Sequence, residues 1–337
     1  MWFGCSLPGD FGDWQAEYHK LRESVAVVDK NYLAYLEFTG PDRVRYLNAI
    51  LTNDIKGLLQ DQGNVSLFLN PQGHIQAEIE TQARADKMFC VSHAMIRERL
   101  LPELDKYIIM DDVTLTDRTE EYATLAVEGP KAPVVIAELT GIPLGDLEEW
   151  ESRDVFVKGI ACRIVRRTPG RDPSGEFLLP RNRAAELWEI LGGAAKQHGG
   201  GTAGYQALNS VRLEQGIPWF SYDFDERRIP HEAGLQNSHI SYTKGCYTGQ
   251  EIVERVRSRG QVNRVRVSLQ FETKEAPAAS TPLVSEGKEV GSVTRAGFSP
   301  ALNSFIGMGY LRRERSAEGM VVEAAGSKAT VILTPVA

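Results

Sequence analysis

A short strand, a glycine–proline pair and an apolar-faced helix occur in that order twice in this chain of 337 residues. The first copy is a strand at Tyr32–Phe38, the link Thr39-Gly40-Pro41, and a helix whose Val44, Leu47, Ile50 and Leu51 share a face. The second is Tyr122–Val127, then Glu128-Gly129-Pro130, then a helix to Leu139. Proline suits a first helical turn, because its missing N–H has no partner there anyway. The recurrence reads either as two similar α+β units or as chance reuse of a common helix-start signal. Between the copies, Val65–Leu69 and His74–Thr81 form a hairpin over Asn70-Pro71-Gln72-Gly73. Ile75, Ala77 and Ile79 alternate, which leaves Glu78 on the opposite, solvent-facing side. After the second copy come strands near 154–157, 160–167 and 176–180, then helices over Arg183–Gln197 and 203–215. From Val265 onward the pattern is short strands only, apart from an irregular Ala- and Pro-rich connector at Glu272–Pro282. That tail predicts a small antiparallel barrel.

Composition narrows the function classes. The length suggests two or three domains, and 25% charged with 42% hydrophobic residues is ordinary for a soluble globular protein. A net charge of -7 argues against non-specific coating of nucleic acid. No apolar run is long enough for a membrane span. Asp10, Asp13 and Glu17 replace the basic-then-apolar opening of a secretory signal, so a cytoplasmic location is expected. Four cysteines (Cys5, Cys90, Cys162, Cys246) and six histidines are scattered singly, without metal-ligand spacing, so no metal is expected.

The most specific local signal is Lys244-Gly245-Cys246-Tyr247-Thr248-Gly249-Gln250-Glu251. It sets one thiol on a glycine-flanked turn, two residues after a lysine and before a run that reads as helix from Thr248 to about Ser258. An ammonium and a helix start would both favour the thiolate. Cys90 and Cys162 sit in apolar strands that suit burial, and Cys5 sits in a mobile terminus. Weaker signals are Val211-Arg212-Leu213-Glu214-Gln215-Gly216, Ile229-Pro230-His231-Glu232, and Arg167-Thr168-Pro169-Gly170 followed by Gly175-Glu176-Phe177.

In their order and spacing these segments resemble the folate-binding YgfZ proteins, relatives of the aminomethyltransferases (T-proteins) of the glycine cleavage system. Phe38-Thr39-Gly40-Pro41-Asp42, Leu51-Thr52-Asn53-Asp54-Ile55 and Val290-Gly291-Ser292-Val293-Thr294 extend the likeness over nearly the whole chain. The 244–251 stretch is specific to the YgfZ branch. The resemblance implies an α+β fold with two interleaved α/β units forming a ring-like, folate-binding body, plus a C-terminal antiparallel β-barrel. It divides the chain into 1–45 with 130–215, 46–129 with 216–264, and 265–337. The implied cofactor is tetrahydrofolate or a one-carbon derivative. Glu176 and Arg212 would anchor the pterin, a carboxylate being suited to its adjacent N–H and NH2 donors. Glu232, Tyr247 and Gln250 are further folate-contacting candidates. Cys246 would be the reactive group and Lys244 its electrostatic activator.

The function so implied is support of iron–sulfur cluster assembly or repair by a monomer, with assembly or client proteins as partners. One alternative is folate-dependent aminomethyl transfer. Against it, Ala77 stands where the enzymes place one acid of a pair, leaving only Glu78. A second alternative is an RNA-associated, tRNA-modification accessory role. It would use Arg255, Arg257, Arg259, Arg264 and Arg266, which fall in twelve residues without an acid. These arginines, the first three above all, read equally as an anion site or as a solvated basic face.

Overall fold

A computed structural model describes residues 1–336 and, of Arg259, the backbone alone. In chain order the main elements are α1 (Trp14–Glu23), β1 (Ala26–Asp29), β2 (Leu33–Thr39), α2 (Arg43–Ile50), β3 (Gly63–Leu69), β4 (Ile75–Ala83), β5 (Met88–His93), α3 (Arg97–Asp105), β6 (Thr114–Asp117), β7 (Tyr122–Glu128) and α4 (Ala132–Thr140). Then come β8 (Ser152–Val157), β9 (Ile160–Arg167), β10 (Ser174–Pro180), α5 (Ala184–Gln197), β11 (Gly201–Thr202), α6 (Tyr205–Gln215), α7 (Pro230–Ala233) and α8 (Gln250–Arg259). The chain ends in β12 (Arg264–Phe271), β13 (Pro282–Ser285), β14 (Lys288–Ser299), β15 (Ser304–Arg312), β16 (Val321–Ala324) and β17 (Ser327–Ile332).

The chain divides into two units. The first comprises Met1–Phe68, Ala77–Leu208 and His239–Thr248; the second comprises Leu69–Gln76, Asn209–Ser238 and Gly249–Ala337.

The first unit holds two sheets, ordered β11-β1-β7-β10-β9-β8 and β3-β4-β5-β2-β6. Each contains the same path: strand, helix, three-stranded antiparallel meander, helix, strand. The path is β2-α2-β3-β4-β5-α3-β6 in one and β7-α4-β8-β9-β10-α5-β11 in the other. This is the repeat that the two glycine–proline links announced. Both links need glycine for the same reason. Gly40 (φ +95°) and Gly129 (φ +109°) have left-handed backbones, and a Cβ there would run into the carbonyl oxygens of Asp112 and Ser24 respectively. The chain changes sheet between Asp29 and Leu33 and again between Asp117 and Tyr122, because β2 pairs with β5 and β6 while β7 pairs with β1 and β10.

Period-two alternation gives each sheet one face covered by helices. Leu125, Val127, Ile164, Phe177 and Leu179 pack with residues of α4 and α5. Leu36, Phe38, Ala77, Ile79 and Cys90 pack with residues of α2 and α3. The remaining faces of the two sheets meet each other, as the Tyr35 hydroxyl shows by bonding Thr124 Oγ1 at 2.7 Å.

The second unit is built on the predicted barrel, closed in the order β12-β15-β14-β13-β16-β17 with β17 pairing back onto β12. Leu269, Phe271, Leu283, Val293 and Leu311 fill it. The C-terminal half of α6 packs outside, Leu213 against Ile306 and Met308.

Candidate functional site

The seam between the two sheets of the first unit sets charge among apolar side chains. Glu80 of β4 and Glu176 of β10 face it with Gln82 and Thr124, beside Leu33, Val91, Val165 and Leu178. Arg167 of β9 reaches both carboxylates, at 2.7 Å to Glu80 and 3.1 Å to Glu176. Its guanidinium lies 3.8 Å from the centroid of the Trp150 ring. Lys30 pairs with Glu128 at 2.9 Å and stands 3.8 Å from Glu176. Every one of these groups is largely buried, and for Glu80, Arg167 and Lys30 the ionisation is not ordinary. Burial lifts the Glu80 carboxyl to about 7; Arg167 opposes the rise, and the neighbouring carboxylates Glu176 and Glu78 add to it. Burial disfavours charge on Arg167 and Lys30 as well, but the surrounding carboxylates win and both are held firmly cationic.

Beside them on the same face of β4 sits Glu78. The expectation that it faces solvent is corrected: the second sheet covers that face. Its carboxylate lies between two imidazoles, 2.9 Å from His239 Nε2 and 3.8 Å from His93 Nε2. Burial acts against the charged form, yet the two histidines pull its pKa down to about 2. A base that weak is a poor proton acceptor at neutral pH. Ala77 points the other way, fully buried in the α2/α3 core.

The cysteine segment belongs to the same unit and is strapped to the end of α2. Thr52 Oγ1 donates to the His239 carbonyl at 2.6 Å, and the Ser241 and Thr248 N–H groups donate to Thr52 and Ala49 carbonyls. Lys244 is the centre of the strap. Its ammonium donates to the carbonyl oxygens of Asn48, Leu51 and Asn53 at 2.6, 2.5 and 2.9 Å. These lie at and just beyond the helix end, where carbonyls lack intrahelical partners. Burial lowers the Lys244 pKa to about 8, against the pull of Asp54. Its three protons are thus committed to backbone carbonyls. Cys246 itself is exposed, Cys90 and Cys162 are buried, and Cys5 is half-buried beside Trp2 rather than on a loose terminus. Burial pushes the Cys90 thiol up to about 12 and Cys162 to about 11. The helix expected from Thr248 starts at Gln250, after Gly249 in the left-handed region (φ +82°). Tyr247 is buried, and its ring centroid lies 5.1 Å from the Lys244 ammonium.

Glu176, the first expected pterin anchor, faces this seam. Arg212, the second, falls in the second unit. There its guanidinium is 3% exposed, pairs with Asp223 at 2.5 Å, bonds Asn209 Oδ1 and lies over the Trp219 ring. Asp223 in turn accepts from Thr294 Oγ1 at 2.6 Å and from the Trp219 N–H at 2.9 Å. This is a buried network of one ion pair and its hydrogen bonds. Glu232 lies on the short α7 and Gln250 opens α8, both in the second unit. On α8, Arg255 pairs with Glu251 at 2.6 Å and Arg257 with Glu254 at 3.5 Å, so these two form a solvated ion-paired face. The side chain of Arg259 lies outside the described residues. Arg266 is turned inward and donates to the Ala233 and Gly216 carbonyls.

The groups not foreseen are Lys30, Glu80, Glu128, Arg167, and the histidine pair around Glu78. A signal existed in β4, where residues 76, 78 and 80 are all polar between apolar neighbours. Nothing local said that a second sheet covers them.

The matches to known proteins agree with this architecture. The family described as GCVT N-terminal domain matches residues 2–240, and the one described as Glycine cleavage T-protein C-terminal barrel domain matches 264–336. An aminomethyltransferase of Rubrobacter xylanophilus is 28% identical, covering 92% of this chain and 82% of its own. One of Shouchella clausii is 25% identical, covering 98% and 92%. The solved structure of glycine cleavage system aminomethyltransferase T from Bartonella henselae shares the fold, with a TM-score of 0.88 at 23% identity over 99% of this chain and 92% of that one. No helix among the described residues is long and apolar enough to cross a membrane. With a repeated α/β body followed by the matching barrel, the chain belongs to the GCVT family.

Proposed function

We propose that this protein binds tetrahydrofolate, with the pterin edge held by Glu176 in the seam of the first unit. The observation that carries this is a buried carboxylate, Glu176, beside a second one, Glu80, in a chain of the GCVT family. A carboxylate accepts the two adjacent donors of a pterin edge. The seam cavity measures only about 20 Å³, less than a ring needs, so entry requires the Arg167 and Lys30 side chains to swing aside. Calorimetric titration with tetrahydrofolate tests the site. Glu176→Ala should weaken binding at least tenfold, and unchanged affinity would exclude the assignment.

For the activity, we infer support of iron–sulfur cluster assembly or repair, with Cys246 as the reactive thiol. Two features of this chain favour it: the 244–251 segment with its resemblance to the YgfZ proteins, and the exposure of Cys246 while Cys90 and Cys162 are buried and Cys5 is half-buried. Aminomethyl transfer is the second reading. The family match and the relatives named aminomethyltransferase favour it. Ala77 in the core and Glu78 fixed between histidines weigh against it. Two assays separate the readings. A reconstituted glycine cleavage system with this chain in place of its aminomethyltransferase should produce little methylenetetrahydrofolate. A deletion strain should lose iron–sulfur enzyme activity, with rescue by the wild type but not by Cys246→Ser. The opposite pair of results establishes the second reading.

A further inference from the structure

We propose that the second unit carries a separate oxyanion site, in the cleft between residues 261–264 and 312–314, that takes a small multivalent anion. The cleft has a volume of about 700 Å³, within the usual range of about 300–1,000 Å³ for small-molecule sites. Its charge is what singles it out. Arg264 of β12 and Arg312 of β15 are directly opposite in the antiparallel ladder, so their side chains rise from the same face. Like charges in that position repel. Neither guanidinium can relieve the repulsion by losing its proton. Arg313 follows immediately and is pinned by a 2.9 Å bond from its guanidinium to the Gly260 carbonyl. Against these three cations the lining offers one carboxylate, Glu314, and the amides of Gln261 and Asn263. Among the described residues no ion pair joins Glu314 to any of the three. The whole chain carries a net charge of -7, so a local excess of cations here runs against its average.

An anion with several oxygens resolves the geometry. It would sit between the opposed forks of Arg264 and Arg312, each able to offer two parallel N–H donors. A concave cleft of this volume suits a small molecule better than a polymer backbone, and the negative chain disfavours nucleic acid. Carboxylates and phosphates share this chemistry, so the probes are citrate and tripolyphosphate.

The test is calorimetric titration of the full chain at about 20 mM salt. At least one probe is expected to bind once per chain. Arg264→Gln and Arg312→Gln are each expected to weaken that binding about tenfold, and the double variant to abolish it. Arg255→Gln, on the ion-paired face of α8, should leave it unchanged. Both variants should keep the barrel strands, which circular dichroism checks. The stronger probe identifies the phosphate or carboxylate class. The proposal is overturned if neither probe binds at 1 mM, if the double variant binds like wild type, or if only a single-stranded RNA binds in an arginine-dependent way.

Discussion

Glu78→Gln should destabilise the first unit near neutral pH and cost almost nothing in strong acid. The substitution keeps the shape of the side chain and removes the charge between His93 and His239. The histidines hold the carboxyl at about 2, against an ordinary value of 4.5. At about 1.4 kcal/mol per pH unit, that difference corresponds to about 3 kcal/mol. The sign follows from a depressed acid pKa. The unfolded chain takes up the proton first as pH falls, so the contribution is complete above about 4.5 and is lost on the way down to about 2. Urea unfolding followed by tryptophan fluorescence reads the right unit, because Trp2, Trp14, Trp150 and Trp188 lie in it. Wild type minus variant should be about 3 kcal/mol at pH 6 and should shrink steadily below pH 4.5, approaching zero near pH 2. A difference that stays constant from pH 6 to pH 3 would refute the charge argument and leave only packing.

Three further outcomes are expected. Arg212→Ala leaves Asp223 buried without its cation and should cost the second unit about 3–5 kcal/mol in chemical unfolding, with Arg212→Lys intermediate. Gly40→Ala forces a Cβ toward the Asp112 carbonyl at a positive φ, so it should lower the melting temperature far more than Gly141→Ala, where nothing lies within 4 Å. Glu80→Gln should stabilise the first unit above about pH 7 relative to wild type: a carboxyl raised to about 7 binds its proton more tightly folded than unfolded, so the wild type loses stability as pH climbs from 4.5 through 7.

What could be read from the sequence was whatever is local. The two glycine–proline links gave the repeat because a positive φ at glycine, with proline just before the helix N-cap rather than in the first turn, leaves a mark on a few adjacent residues. The barrel could be read because its strands follow one another closely. Burial of Glu78 could not, because alternation separates two faces without saying what covers the second. The partners of Lys244 were hidden for a related reason. Its neighbour in sequence is a thiol, but its hydrogen bonds go to the carbonyls of residues 48, 51 and 53, almost two hundred positions earlier. The ion-pair partner of Arg212, Asp223, lies eleven residues on and is buried with it.

The seam itself is the strongest physical reason to look for a ligand there. Burying four carboxylates, Glu78, Glu80, Glu128 and Glu176, with Lys30 and Arg167 is a poor way to stabilise two sheets, since desolvation offsets most of the attraction and an apolar seam would serve better. The strands had that option, since their helix-facing sides are uniformly apolar. The charge also has a pattern: Glu176 touches Arg167 closely but Lys30 only at 3.8 Å, and Glu80 sits near its titration point. A carboxylate so loosely committed can exchange a cation partner for the paired donors of a ligand at small net expense, whereas Glu78, gripped from both sides, cannot. On the reading proposed above, that asymmetry suits Glu176 to binding and Glu78 to architecture, while Ala77 is turned into the α2/α3 core.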